Sequence, residues 1–492
     1  MSLLKLTLVE ATEKLEKKEI SSVELTNAYI ESSKKADELN IYITKTFETA
    51  LENAKKSDER RHKNQQLSPI DGIPIGIKDI FLTENERTTC GSKFLENFIA
   101  PYESTVTTNL KQAGVLSLGK LNMDEFAMGS ANLTSYYGNV INPWKSEDGE
   151  NRVPGGSSGG SSAAVAARAV IAATGTDTGG SIRQPASFTG IVGMKPTYGV
   201  CSRYGIIAFA SSLDQAGPMT RTVSDNALLL QYMAGYDEKD SSMVPYNKPN
   251  YSEKIGKSIK GMKIGIPKEY FSEKLSEEIK THWKNTQQWL EEEGAEIVEI
   301  SLPHTDYALP VYYIVAPAEA SSNLSRFDGI RYGTREQGKD LEEIYKNSRT
   351  KGWGEEVKRR ILVGTYNLLT ENFDKFIQAA KVRRLIANDF IEAFKKVDAI
   401  LTPTTTGEAF SMSDIPTDPI EMYFNDIFTV TANLAGIPGI SLPVGFSKNK
   451  LPIGMQLLGN FYKETELYQI AKVVEDKAQF DGASTFVKAK LQ

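Results

Sequence analysis

Two serines and one lysine carry the reactive chemistry in this chain. Ser157 lies in the run Pro154-Gly155-Gly156-Ser157-Ser158-Gly159-Gly160-Ser161-Ser162, and Ser181 follows 24 positions later in Thr178-Gly179-Gly180-Ser181. Glycines without a Cβ let consecutive backbone N–H groups turn toward one point, and such groups ahead of a helix form an anion-binding concavity. That is what an oxyanion hole requires, so the pattern points to acyl transfer through a serine. A serine hydroxyl is a weak nucleophile and needs a base. The three histidines, His62, His282 and His304, all fall outside this segment. Lys78, inside the apolar run Asp71 to Leu82 (DGIPIGIKDIFL), can serve if burial lowers its pKa enough to populate the neutral amine.

Each of these residues also has a plainer reading. Gly/Ser runs are usually flexible linkers, although this one abuts a strong helix former and is echoed by a second Gly-rich turn. Both turns contain G-x-x-x-x-G (Gly155 to Gly160, Gly175 to Gly180), but Ser follows each where a phosphate-binding loop requires Lys. Ser157 and Ser181 taken singly fit helix capping, and Lys78 alone fits a strand lysine paired with Asp79. Only the three together point to catalysis.

Composition removes other classes. The 492 residues hold 57 Lys+Arg against 63 Asp+Glu, a net charge of −6 that argues against this chain being the main clamp on a nucleic-acid backbone. Two cysteines, Cys90 and Cys201, 111 positions apart, make neither a disulfide framework nor a CxxC unit. No histidine has another within 20 positions, so a zinc site has no ligand set and no metal is expected. The longest nearly apolar run, Ala163 to Ala173, is 11 residues, interrupted by Arg168 and too short to span a bilayer. Thr7-Leu8-Val9-Glu10 and Ser21-Ser22-Val23-Glu24 each fit a capping box and predict two short helices. Early Glu10, Glu13 and Glu16 are wrong for a transit peptide, and the expected compartment is the cytoplasm.

The elements that must position these residues alternate. Asp71 to Leu82 reads as a strand covered on both sides, with Ile73, Ile75 and Ile77 on one face and Lys78 sharing parity with Ile80 and Leu82. Ala163 to Ala173 is a good helix former in its first half, and Thr174 to Arg183 reads as a second Gly-rich turn. Between residues 155 and 217 there are 12 glycines in 63 positions against 38 in the whole chain, so the enrichment is local to this region. Met262 to Pro267, Ile297 to Ile300 and Val397 to Leu401 read as strands. Ile279, Trp283 and Leu290 mark a helix ending near Gly294, and Ile440 to Val444 with Ile453 to Leu457 suggest a hairpin. Length alone suggests roughly three domains. With no linker or repeat, the expectation is instead one large α/β domain over residues 1–492, a mixed sheet with helices on both faces, with 301–396 the best candidate for an inserted helical lobe.

The combination DGIPIGIKD, PGGSSGGS, GTDTGGSIRQPA and GMKPTYG resembles the amidase signature family, whose members use a Ser–Ser–Lys triad. By motif, the resemblance implies Ser181 as nucleophile, Ser157 as bridging serine after a cis peptide bond, Lys78 as base, and the amides of Thr178, Gly179, Gly180 and Ser181 as oxyanion hole. LNMDEFAMGS, YYIVAPAEASSNLSRFDGIRYG, GEEVKRRILVGTY and NDIFTVTANLAGIPGISLPVG resemble one branch, the glutaminase subunits of bacterial-type amidotransferases acting on glutamyl-tRNA(Gln) or aspartyl-tRNA(Asn). That likeness implies Arg360 as receptor for the α-carboxylate of glutamine, Asp426 for its α-ammonium, and Tyr312 and Tyr313 as pocket walls. A guanidinium fork suits a carboxylate and an aspartate suits an ammonium. Arg360 alone fits an i,i+4 helix pair with Glu356. The branch further implies no cofactor in this subunit, ATP and Mg²⁺ at a partner B subunit that holds most of the tRNA, and a small C subunit tying the two together. A free-standing small-amide hydrolase and a non-catalytic scaffold are the alternatives. Cys201 in TYGVCSRYG and the Ser-rich end of GGSSGGSS are departures without an explanation in the sequence.

Overall fold

Both N-terminal capping boxes form. The Thr7 and Ser21 side chains accept from the Glu10 and Glu24 amides while those glutamates reach back, opening the helices Leu8–Glu16 and Ser22–Lys35. The computed structural model describes residues 2–271, 275–415 and 418–491. Its strands are β1 Tyr42–Lys45, β2 Pro74–Lys78, β3 Leu116–Leu121, β4 Ala172–Asp177, β5 Val192–Lys195, β6 Gln215–Thr220, β7 Lys263–Pro267, β8 Glu296–Ile300, β9 Ala399–Pro403, β10 Gly439–Phe446 and β11 Pro452–Gly459. They form one 11-stranded sheet in the order β1-β3-β2-β4-β6-β5-β10-β11-β9-β7-β8. β2 runs parallel to β3 and β4, β7 runs parallel to β8 and β9, and the other neighbours are antiparallel, so the sheet is mixed. Helices cover both faces: Gly454 of β11 faces Ser187 in the helix Arg183–Thr189, and Gly459, of opposite parity, faces Leu467 in the helix Glu464–Ala478. The expected α/β architecture is the one observed.

The expected elements differ from the observed ones mainly in extent. The run from Asp71 to Leu82 is a strand only over β2, and the Asp79 amide turns to the carbonyl of Leu121. The Ala-rich helix is Gly159–Ala166, stopped where Arg168 adopts a positive φ of 55°. As expected, only the first half of the apolar run is helix; Ala167 to Ile171 leave it in a turn, and Ala172 and Ala173 open β4, a central strand buried along its whole length. Thr174 and Thr176 alternate there with small residues, which suits a pleated surface packed on both sides. The second Gly-rich turn is therefore confined to the residues after Asp177. The hairpin β10–β11, the strands β7 and β8 and the helix Glu277–Glu292 between them match their expected places, while the strand read over Val397 to Leu401 is β9. Residues 301–396 hold the helices Ala308–Leu324, Leu341–Gly352, Glu355–Leu368 and Phe373–Ala393, with no strand among the described residues. Cys90 and Cys201 are both buried free thiols.

The parallel pairing of β2 with β4, Gly76 opposite Ala173, is what builds the site. It brings the C-terminal ends of both strands, Lys78 and Asp177, to the same edge of the sheet, where α/β folds place ligands. The helix Gly159–Ala166 is held over that edge by the Gly160 amide, which donates to the carbonyl of Asn122 at 3.0 Å. A Cβ at Gly160 would collide with the backbone of Asn122. Gly160→Ala is therefore expected to cost about 1–3 kcal/mol by overpacking. Denaturant unfolding of the variant checks this, and an unchanged midpoint would refute the close approach.

Candidate active site

Lys78 ends β2 with no solvent exposure and points its amine into three hydroxyls. Nζ donates to Ser157 Oγ, Ser158 Oγ and Thr176 Oγ1, each at 2.8 Å, so every donor of the ammonium has an acceptor and none of the acceptors is charged. Burial pushes its pKa down to about 7, against the opposing pull of Asp124 and Asp177. The expected alternative, a pair between Lys78 and Asp79, does not form. Asp79 faces Lys120 at 3.5 Å, with both side chains fully buried, and it also accepts from the amide and hydroxyl of Thr89. The additional serines of the Gly/Ser run have structural partners. Ser158 donates to the carbonyl of Thr176, Ser161 to that of Thr174, and Ser162 to those of Pro154 and Gly159, which ties the helix to β4 and to its own entry loop. The Gly156–Ser157 peptide bond is cis, as the resemblance implies.

Ser181 sits on the turn after β4, and at 9% exposure it is the one of the three open to a ligand, Lys78 and Ser157 being at 0%. Its hydroxyl makes no hydrogen bond among the described residues, to Ser157 or to any other group. The turn is organised around Asp177, whose carboxylate accepts from the amides of Gly180, Ile182 and Arg183 and from the Arg183 guanidinium. Arg183, fully buried, also donates to Gln456, the carbonyl of Thr429 and Asn433. Burial alone would raise the Asp177 pKa, but Arg183, Lys195 and Asn433 outweigh it and hold the carboxyl below its usual range. Of the four amides expected to form the oxyanion hole, Gly180 is committed: its N–H donates to Asp177 Oδ1 at 2.9 Å. Thr178, Gly179 and Ser181 have no backbone acceptor among the described residues.

A second group gathers residues from distant segments. Arg360 is 5% exposed, and its Nε donates to Glu356 Oε1 at 2.7 Å, so the expected i,i+4 pair is real. The guanidinium also lies 5.5 Å from the ring centroids of Phe209 and Tyr313 and 5.7 Å from that of Tyr423, in a buried aromatic cage. Burial opposes its charge, but the surrounding Tyr313 and Glu356 outweigh that and raise its pKa, so it remains a cation. Tyr313 stacks on Tyr423 at 3.8 Å, meets Tyr312 edge-on at 5.0 Å, and donates its hydroxyl to Asp426 Oδ2 at 3.1 Å. Burial pushes the Asp426 carboxyl up to about 7, against the opposing charge of Arg360. Tyr312 packs against Gly179, where a Cβ would displace its ring. A cavity of about 230 Å³ opens beside Arg360, lined in part by Asp124, Ser130, Thr134 and Tyr423.

Sequence reading therefore names residues that the fold gathers into two adjoining groups, one around Lys78 and Ser157 and one around Arg360 and Asp426. It misses Thr176 and Ser158, the other acceptors of Lys78, as well as Asp177 and Arg183, which shape the turn that carries Ser181. It also misses Asp124, whose amide donates to the carbonyl of Ser157 at 3.2 Å and whose buried carboxylate accepts from the amides of Asn132, Leu133 and Thr134. The available signal was a charged pair, Asp177 and Arg183, inside a stretch otherwise made of small and apolar residues.

Residues 24–468 match the Amidase family. The A subunit of glutamyl-tRNA(Gln) amidotransferase from Xanthobacter autotrophicus is 56% identical over 480 residues, which cover 97% of this chain and 97% of that protein. The crystal structure of the glutamyl-tRNA(Gln) amidotransferase A subunit from Thermotoga maritima matches with a TM-score of 0.82 at 39% identity, covering 98% of each chain. A peptide amidase from Stenotrophomonas maltophilia matches with a TM-score of 0.82 at 27% identity, covering 96% of this chain and 97% of that one. Among the described residues, no helix is long and apolar enough to cross a membrane.

Removing one partner of a buried ion pair leaves an uncompensated charge. Arg183→Met is expected to cost about 3–5 kcal/mol for that reason, measured by denaturant unfolding. A loss under about 1 kcal/mol, the scale of an exposed pair, would mean that Asp177 does not depend on Arg183.

Proposed function

This chain belongs to the amidase family, and on that premise we propose that it is the glutamine-hydrolysing subunit of a tRNA-dependent amidotransferase. The observation that carries the reading is Lys78, a buried amine whose acceptors are the hydroxyls of Ser157, Ser158 and Thr176, with no carboxylate partner among the described residues. The 56% identity to an amidotransferase subunit over nearly the whole chain supports the choice of branch.

In this mechanism neutral Lys78 accepts the proton of Ser157 as Ser157 accepts that of Ser181, and Ser181 Oγ attacks the side-chain carbonyl of glutamine. The free amides of Thr178, Gly179 and Ser181 stabilise the negative oxygen of the tetrahedral intermediate. The proton returns from Lys78 through Ser157 to the amide nitrogen, ammonia leaves, and an ester joins Ser181 to the glutamyl group. Water, activated by the same relay, then cleaves that ester to glutamate. Arg360 holds the α-carboxylate and Asp426 the α-ammonium, with Tyr312 and Tyr313 as walls. Ammonia passes to a B subunit that uses ATP and Mg²⁺ to convert Glu-tRNA(Gln) to Gln-tRNA(Gln), with a C subunit joining the two. The net charge of −6 suits a chain that leaves most of the tRNA to its partner. The cytoplasm, where aminoacyl-tRNA is made, is the matching compartment.

Two experiments test this. Ser181→Ala, purified with its partners, is expected to lose glutamine-dependent Gln-tRNA formation yet retain it when ammonium chloride is supplied. Undiminished ammonia release from glutamine would end the assignment, and full activity on simple amides with Arg360 and Asp426 dispensable would favour a free-standing hydrolase. The second test is the pH profile. The base must be neutral, and burial places the Lys78 pKa at about 7, so kcat is expected to fall about tenfold per pH unit below that value. Asp426 must be ionised to hold an ammonium, and its carboxyl also titrates at about 7, so KM for glutamine should rise over the same range. Asp426→Asn should remove the KM limb and leave the kcat limb. A kcat limb that persists in Lys78→Ala would overturn the role of the lysine.

A further inference from the structure

Two consecutive residues join the two halves of the site. Asp124 bonds through its amide to the carbonyl of Ser157. The next residue, Glu125, 2% exposed, points the other way. Its Oε2 accepts from the amide of Gly354 at 2.9 Å, and its Oε1 accepts from the hydroxyl of Ser92. Gly354 is the N-cap of the helix Glu355–Leu368 and brings no capping side chain of its own. Glu125 supplies that cap from 229 positions away, and a carboxylate there also complements the helix dipole. Arg360 lies six residues into this helix, about 9 Å along its axis at 1.5 Å per residue. The joint is stiff on its other side as well. Phe126 meets Trp353 edge-on at 4.9 Å and Phe327 at 5.2 Å, and Phe94 stacks on Trp353 at 4.4 Å.

Resting on the reading of Arg360 as carboxylate receptor, we propose that Glu125 is a positioning residue. By clamping the first turn of the Arg360 helix to the segment bonded to Ser157, it sets the distance from the substrate carboxylate to Ser181. That distance is what separates glutamine from asparagine, which is one methylene shorter. A misplacement of about 1 Å can cost up to about 10²-fold in kcat/KM, and at a binding group remote from the reacting bond that loss falls mainly on KM, so a clamp at this point governs selectivity.

The clamp can be broken from either partner. Glu125→Ala removes the acceptor. Gly354→Pro removes the donor at a backbone that admits proline, with φ −72° at Gly354 and an extended Trp353 before it, and its ring would displace the Glu125 carboxylate. In the complex purified with its partners, both variants are expected to raise KM for glutamine about tenfold or more, with kcat within about threefold. The ratio of glutamine to asparagine hydrolysis should fall, and Glu125→Gln, which keeps an acceptor for the Gly354 amide, should restore most of both. Unchanged KM and unchanged ratio, or a loss of kcat alone, overturns the role. If Glu125→Ala does not accumulate as folded complex, Gly354→Pro and Glu125→Gln carry the same readout. Arg360→Met is measured beside them. An unaltered KM there means the carboxylate reading itself fails, whereas a raised KM there with none at Glu125 removes only the clamp.

Discussion

The edge of the sheet that carries the candidate site depends on keeping one amine dry and, among the described residues, without a counter-charge in contact. A buried lysine ordinarily acquires a carboxylate, and a carboxylate in contact would hold the ammonium protonated. Here the three acceptors around Lys78 are the hydroxyls of Ser157, Ser158 and Thr176, which satisfy the donors without fixing the charge. This arrangement demands that the Gly/Ser loop, the C-terminal end of β4 and the end of β2 converge within hydrogen-bond reach. The parallel pairing of β2 with β4 and the close approach of Gly160 to Asn122 bring them together.

A second buried charge is treated in the opposite way. Asp177 keeps its ionised form because Arg183 and Asn433 are placed around it, and the fixed carboxylate then gathers the amides of Gly180, Ile182 and Arg183. The turn carrying Ser181 is thus held by an anion below it, and among the described residues the amides of Thr178, Gly179 and Ser181 are left free of backbone acceptors. Burial without a paired charge lowers the pKa of one group, and pairing with Arg183 holds that of the other below its usual range.

The sequence makes some of this legible. Lys78 stands out because it is a charge within an apolar run, and the two serines because glycines bracket them. The strands β2, β7, β8 and β9, the hairpin β10–β11 and both capping boxes follow from periodicity and local chemistry, whereas β1, β3, β5 and β6 do not. The extent of β4 does not, because small residues and threonines serve a buried strand as well as a turn, and the choice is made by neighbours on either side. The Arg183 network is illegible for a related reason, since its partners Gln456, Thr429 and Asn433 lie 246 to 273 positions away. The cage around Arg360 draws Phe209, Tyr313 and Tyr423 from three separate segments, and only a family likeness suggests that this arginine is more than half of a helix pair.

The pairing of Lys120 with Asp79 has a consequence for how the protein can change over generations. Asp79 adjoins Lys78 in the chain and would be its natural counter-ion, and Lys120 occupies it, assisted by Thr89. Lys120 thereby gives that buried carboxylate a counter-charge of its own. Drift at position 120 is then coupled to position 79: loss of either charge alone leaves the other buried and unpaired, while loss of both together does not. Substitutions at these two buried sites should therefore be inherited as a pair, although neither residue belongs to the candidate site.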